Sequence, residues 1–253
     1  MHIVKMHGAR NDFIVVDARE EPVPQPRALA LRLCDRRGGI GADGLLLVEP
    51  SRIAAVAMRI FNADGGEAQT CGNGIRCIAR YLDERGEGAR LEIETNAGIV
   101  QTHVVQREPV YLVRVAMGVP THRALAEEGA HFVDLGNPHV VLFRSSLRDF
   151  DLIASATAMQ GAGVLPEGGN VHVAVVEDSH TLRVEHWERG VGLTQACGSG
   201  AVACAAAAVR AGFVRSPVTV NVPGGVLTVE WDGSAGAHLT GPAERVFETD
   251  VAR

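Results

Sequence analysis

The sequence predicts an α+β protein made of two copies of one unit, and three observations carry that reading. Thr70-Cys71-Gly72-Asn73-Gly74 returns as Ala196-Cys197-Gly198-Ser199-Gly200, 126 positions later in a chain of 253 residues. The same spacing relates Arg10-Asn11-Asp12-Phe13-Ile14-Val15-Val16 to Gly136-Asn137-Pro138-His139-Val140-Val141-Leu142, with the asparagines aligned, and Gly86 to Gly212. Within each half, short segments rich in branched residues dominate, and one helical segment follows the repeated cysteine. A duplicated domain follows, with its halves expected to face each other about a pseudo-twofold axis.

In the first half, Met1–Met6 and Asp12–Asp17 read as strands, and a proline-rich turn, Pro22–Pro26, leads to a helix over Arg27–Arg36 stopped by Gly38 and Gly39. Strands are expected at Leu45–Glu49 and Ala55–Phe61. A loop, Asn62–Thr70, then precedes a helix from Gly72 to Arg85. Strands over Leu91–Thr95, Ile99–Val105 and Tyr111–Val115 close the half. The second half repeats this order: strand Val140–Phe143, helix Asp149–Met159, strands Val171–Val176 and Thr181–Trp187, loop Glu188–Ala196, helix Gly198–Ala211, and strands Val218–Val222 and Val226–Trp231. The expected domains are residues 1–117, joined by the tail 244–253, and residues 118–243.

Composition narrows the function. A formal charge of −6 and a pI near 5.9 oppose a nucleic-acid or anionic-membrane surface, which selects a basic face. No apolar run approaches the roughly 20 residues of a membrane span, and the N-terminus lacks the apolar core of a signal peptide. A cytoplasmic protein is expected. Five cysteines at these spacings match neither a disulfide framework nor a CxxC zinc site, so free thiols are expected and no metal. Lys5 is the only lysine and lies in an apolar strand pattern. Pyridoxal phosphate requires a lysine for its Schiff base, so amino-acid chemistry here is expected to use no cofactor. Gly39-Ile40-Gly41-Ala42-Asp43-Gly44 fits a dinucleotide-binding pattern in letters only: a helix precedes it and a strand follows, the reverse of the required context.

Cys71 and Cys197 stand apart from Cys34, Cys77 and Cys204, which fall inside apolar helical faces. Each repeated cysteine starts a helix, where amides outside the helical ladder and the positive end of the macrodipole lower a thiol pKa and favour the reactive thiolate. The amides around Gly72-Asn73 and Gly198-Ser199 form anion sites suited to a carboxylate. Two opposed thiols suit a stereoinversion, in which one face of a carbon loses a proton while the other gains one.

Asn62-Ala63-Asp64-Gly65-Gly66-Glu67 leading to Cys71-Gly72-Asn73-Gly74-Ile75-Arg76-Cys77, together with Gly136-Asn137-Pro138-His139 and Glu188-Arg189-Gly190-Val191-Gly192 leading to Ala196-Cys197-Gly198-Ser199-Gly200, resembles the diaminopimelate epimerase family over nearly the whole chain. That resemblance implies two domains, each a curved, mostly antiparallel sheet around a central helix. It implies cofactor-independent interconversion of L,L- and meso-diaminopimelate, a small amino-acid substrate, in lysine and peptidoglycan precursor synthesis, by a homodimer. By the same resemblance Cys71 and Cys197 are the paired base and acid, and His139 and Glu188 tune their protonation. Asn62, Asn170 and Arg189 grip the distal end of the substrate, while Asn11 and Asn137 line the pocket. The amides of Gly72, Asn73, Gly198 and Ser199 take the reacting carboxylate. Arg10, Gly44 and Leu193 depart from the family pattern without touching the cysteines. The rival readings are a sister racemase for another amino acid and, from another class, a dithiol redox protein. A non-catalytic binding module would have lost one of the two cysteines.

Overall fold

The computed structural model of the chain describes residues 1–125, 129–148, 150–163, 165 and 169–252. The chain forms two compact units, Met1–Val115 with Gly241–Arg253, and Ala116–Thr240.

The first unit opens with a hairpin of β1 (His2–Gly8) and β2 (Asn11–Asp17), joined at Ala9 and Arg10. Both turn residues have positive φ, 52° and 64°, the backbone that two-residue hairpin turns require. Helix α1 (Pro26–Cys34), with proline in its first turn, crosses to β3 (Gly44–Glu49), which pairs in parallel with β2. There follow β4 (Val56–Asn62), the short β5 (Glu67–Ala68), helix α2 (Gly72–Asp83), β6 (Arg90–Thr95), β7 (Gly98–Gln106) and β8 (Leu112–Ala116). The β4–β6 pairing is parallel, with α2 as its crossover, whereas β3–β4, β6–β7 and β7–β8 are antiparallel. All of β3 except its last residue is buried, because its two faces are covered by different helices. Leu45 and Leu47 join Ala30, Leu33 and Cys34 of α1 in one core cluster. Leu46, pointing the other way, meets Gly74 of α2.

The second unit contains β9 (Thr121–Ala124), β10 (Ala130–Asp134), β11 (Pro138–Phe143), helix α3 (Leu152–Gly161), β12 (Asn170–Asp178), β13 (Thr181–Glu188), β14 (Gly192–Thr194), helix α4 (Gly198–Arg210), β15 (Val218–Val222), β16 (Gly225–Glu230) and β17 (His238–Pro242). The chain returns to the first unit with β18 (Glu244–Asp250), which pairs with β1. Here too the second pairing after the hairpin, β11–β12, is parallel, and so is β13–β15 around α4. Phe13 faces Gly44 in the first unit and His139 faces Asn170 in the second, so the register repeats at the spacing of the sequence repeat.

Helix α4 packs against β9 through β13 and against β15 and β16, so the sheet curls around it. Nearly every residue from Gly198 to Ala208 is buried, and most are alanine or glycine. A helix enclosed on all sides is apolar all round, and small side chains bring the strands close to its axis. The mixed helix-and-sheet architecture with few helices agrees with the fold class expected from the sequence.

Several details differ from the expected elements. The helix expected over Asp149–Met159 runs over Leu152–Gly161, capped by the Asp151 carboxylate accepting from Ala154 N–H; Asp149 lies outside the described residues. Strands β5 and β14 lie inside the segments expected as the loops Asn62–Thr70 and Glu188–Ala196, and β9, β10, β17 and β18 had no strand reading. Strand β18 is exposed along its whole length and β9 carries only one partly buried residue, so neither shows the alternation by which a strand is recognised.

The first turn of each central helix tolerates almost no added volume. A Cβ at Gly200 would lie 2.5 Å from the His172 ring, whereas one at Gly74 would lie 3.0 Å from the end of the flexible Leu46 side chain. Gly200→Ala is expected to lower stability by about 1–3 kcal/mol and Gly74→Ala by clearly less, as read by urea unfolding.

Candidate active site

In the first unit Asn11 opens β2, Gly44 opens β3 opposite Phe13, two residues along β2, and Asn62 closes β4 opposite Gly44. This end of the sheet is where α2 begins. Cys71 is the N-cap of α2, with an extended backbone (φ −152°), and the helical ladder starts at Ile75 N–H bonding to Cys71 O. The half-buried Cys71 thiol lies 3.8 Å from Asn11 Oδ1, which also accepts from Asn73 Nδ2 at 3.1 Å.

The orientation of the Asn11 amide is imposed from behind. Its Nδ2 donates to Asp43 at 2.8 Å, leaving its oxygen for Cys71 and Asn73. Asp43 also accepts from Asp12 N–H and from Arg36, and Arg36 bridges to the Asp12 carboxylate. Lys5 donates to the same carboxylate at 2.5 Å and to Gly41 O. Burial alone would raise the pKa of Asp12, but Arg36 and Lys5 outweigh it and hold the group at about 2. The glycine-rich segment that mimics a nucleotide motif therefore supplies the carboxylate that sets Asn11.

Behind the helix start lies Arg76, fully buried, donating to Asn73 Oδ1 at 2.8 Å, to Pro242 O at 3.0 Å and to Gly72 O at 3.4 Å. Burial pushes its guanidinium down to about 10, so it remains a cation at neutral pH. It ties the turn that carries Cys71 to the C-terminal segment. Asn62 is exposed, its backbone closes the following turn with Gly65 and Gly66, and its side chain makes no hydrogen bond among the described residues.

The second unit builds the corresponding place from more polar parts. Cys197 is the N-cap of α4 and is buried; its sulfur accepts from Gly200 N–H at 3.3 Å and lies 3.7 Å from Ser199 Oγ. Asn137 Nδ2 donates to Ser199 Oγ at 3.4 Å. Glu188, at the end of β13, accepts from Thr194 at 2.6 Å and is hydrogen-bonded to the Cys197 thiol. Asn170, at the start of β12, accepts from Arg189 N–H at 3.1 Å. Arg189 is exposed on the turn after β13, and Leu193 is exposed as well. His139 is fully buried on β11, with Nδ1 2.8 Å from His172 Nε2.

The expected acidification by the helix start does not hold for Cys197. Burial is the largest influence and pushes its thiol well above the ordinary range, and the neighbouring Glu188 carboxylate adds to the rise. Gly200 N–H and the Ser199 hydroxyl oppose this but are outweighed, so Cys197 is a neutral thiol. Cys34, Cys77 and Cys204 are free and buried, with thiols raised by burial, as structural cysteines are.

Asn11, Gly72, Cys71 and Asn73 thus meet in the first unit, and Asn137, Glu188, Cys197, Gly198 and Ser199 in the second. Asp43, Arg76, Thr194 and His172 have no place in the sequence reading. Arg76 carried the clearest signal, a charge inside a segment of otherwise apolar helix.

The diaminopimelate epimerase family model matches residues 3–123 and 131–246. The chain belongs to the diaminopimelate epimerase family. The diaminopimelate epimerase of Caldanaerobacter subterraneus subsp. tengcongensis is 41% identical over 99% of each chain, and that of Sphingopyxis alaskensis is 44% identical over 98% of this chain and 97% of its own. Among solved structures, a PhzF-family phenazine biosynthesis protein of Bacillus anthracis superposes with a TM-score of 0.78 at 18% identity, covering 100% of this chain and 99% of its own. A hydroxyproline epimerase of Agrobacterium vitis gives 0.71 at 15% identity, covering 98% and 91%. These two solved structures share the fold of this chain.

Asp43→Ala frees the Asn11 amide to rotate and is expected to lower kcat/KM by about 10- to 100-fold in steady-state assays, with the fold intact. Stability is expected to respond to acid through the buried imidazoles. Burial holds His139 and His186 near about 3 against 6.5 for an unfolded histidine, so the unfolded chain binds more protons between those values. Unfolding free energy should therefore be level above about pH 6.5 and decline as pH falls toward 3, an onset well above that of the carboxylates, measurable by denaturant titration at stepped pH.

Proposed function

We propose that this protein is a cofactor-independent isomerase that interconverts L,L- and meso-diaminopimelate by proton transfer between two cysteines, within lysine and peptidoglycan precursor synthesis. The observation that carries the reading is that each unit delivers one cysteine as the N-cap of its enclosed helix, in a chain of this family.

In the proposed step the Cys71 thiolate removes the α-proton from one face of the substrate while the Cys197 thiol donates its proton to the opposite face. Cys71 ends as thiol and Cys197 as thiolate, and the other stereoisomer runs the reverse. The neutral state of Cys197 supports its starting as the acid. Glu188, hydrogen-bonded to that thiol, disfavours a thiolate and so keeps Cys197 protonated before the transfer; His139 is assigned to the same tuning. The substrate α-carboxylate is taken by the amides of Gly72, Asn73, Gly198 and Ser199, where helix-start amides balance the negative charge that develops as the proton leaves. Asn11 and Asn137 line the pocket, and Asn62, Asn170 and Arg189 hold the distal amino-acid end.

Lys5 is buried and committed to Asp12 and Gly41, so the chain has no lysine available for a Schiff base, which supports chemistry without pyridoxal phosphate. No helix among the described residues is long and apolar enough to cross a membrane. A cytoplasmic homodimer belongs to the same proposal, with sedimentation of the purified protein as its check.

Reduced protein without added cofactor is expected to wash solvent deuterium into the α-position of L,L-diaminopimelate, seen by proton NMR. Cys71→Ser and Cys197→Ser should each lower turnover by about 100- to 10,000-fold. Folded, reduced protein that exchanges no α-hydrogen would falsify the reading, and turnover of proline or hydroxyproline in its place would favour the sister racemase.

A further inference from the structure

Three imidazoles form a hydrogen-bonded line inside the second unit. His139 Nδ1 lies 2.8 Å from His172 Nε2, and His172 Nδ1 lies 2.8 Å from His186 Nδ1. All three rings are buried. His172 and His186 are cross-strand partners on β12 and β13, and His139 sits on the adjoining β11. The outer nitrogens, His139 Nε2 and His186 Nε2, have no partner among the described residues. The rings do not converge on a common point. The middle one spends both nitrogens on its neighbours, so no three lone pairs remain for a metal.

The duplication supplies an internal control. The positions that repeat His139, His172 and His186 in the first unit are Phe13, Leu46 and Ile60, all buried and apolar. Gly74 rests on Leu46 as Gly200 rests on His172. The architecture accepts hydrocarbon at these positions, and hydrocarbon avoids the desolvation cost of leaving buried ring nitrogens unpaired. The imidazole line is therefore not a requirement of the fold.

Its protons can be counted. Burial keeps the rings neutral, so each holds one proton, and the middle ring must donate through one nitrogen and accept through the other. Two arrangements satisfy this. If His172 Nε2–H donates to His139 Nδ1, His139 carries its proton on Nε2; if His139 Nδ1–H donates, its Nε2 is a bare acceptor. In both, the state of His139 Nε2 is set by His172, and that of His172 by His186.

We propose that His172 and His186 are positioning residues for the epimerisation, holding the ring of His139 in place and in a single tautomer. This rests on the reading of His139 as a partner of the cysteines.

The test copies the first unit into the second, as the double variant His172→Leu/His186→Ile. It is expected to fold with an unfolding temperature at or above that of the parent, to keep KM within about twofold, and to lose about tenfold or more in kcat. His172→Gln, whose amide both donates and accepts, should retain more kcat than His172→Leu. Long-range ¹⁵N–¹H spectra should show one tautomer of His139 in the parent and an averaged ring in the double variant. Unchanged kcat in the folded double variant overturns the proposal. Should that variant not fold, the parent spectrum decides: a His139 ring that averages between tautomers overturns it, and a single tautomer supports it. His139→Phe with full activity would instead remove His139 from the reaction, and loss of the cysteine dependence would remove the functional reading itself; the tautomer measurement is independent of both.

Discussion

Close contact between the first turn of each central helix and the strand beneath it is the constraint on which the rest depends. At Gly74 and Gly200 no room exists for more than a hydrogen atom without displacing Leu46 or His172. This contact fixes the height and rotation of the helix start, and with it the sulfur one turn earlier. A cysteine at the N-cap has an extended backbone, so it stands between strand-like loop and helix with the first amides beside it. Helix α4 is built largely from small residues for the same reason: the sheet reaches the helix axis only where side chains are short.

On this shared frame the two units differ in electrostatics rather than in shape. The first unit sets an asparagine against its thiol, with the amide oriented by Asp43 and that carboxylate held by Arg36. The second sets a carboxylate, Glu188, at the position that repeats Asn62, and its thiol is deeper. A buried sulfur beside a negative group stays protonated. Duplication thus yields two sites of similar backbone whose thiols have different neighbours, an asparagine at Cys71 and a carboxylate at Cys197.

Much of the site was legible because the duplication writes it twice. Cys71 with Cys197, Asn11 with Asn137, and the glycine-bearing helix starts stand at one spacing, and chance does not preserve chemistry at a constant offset. Asp43, Thr194 and the histidines His172 and His186 were not legible. Their partners lie on other strands, and nothing local distinguishes a histidine facing the enclosed helix from one facing solvent. The exposed strands β9 and β18 escaped for a related reason: a strand held by its ladder alone needs no apolar alternation.

The sequence by itself determined the duplication, the two helix-starting cysteines, the single lysine and the family, because these are properties of residue order and type. Tertiary structure alone decided which carboxylate orients Asn11, that Cys197 is a neutral thiol, and that three imidazoles join in a line. Those outcomes depend on register between strands and on burial. Register brings together residues tens of positions apart, and burial reverses the acidity that a helix start would otherwise confer.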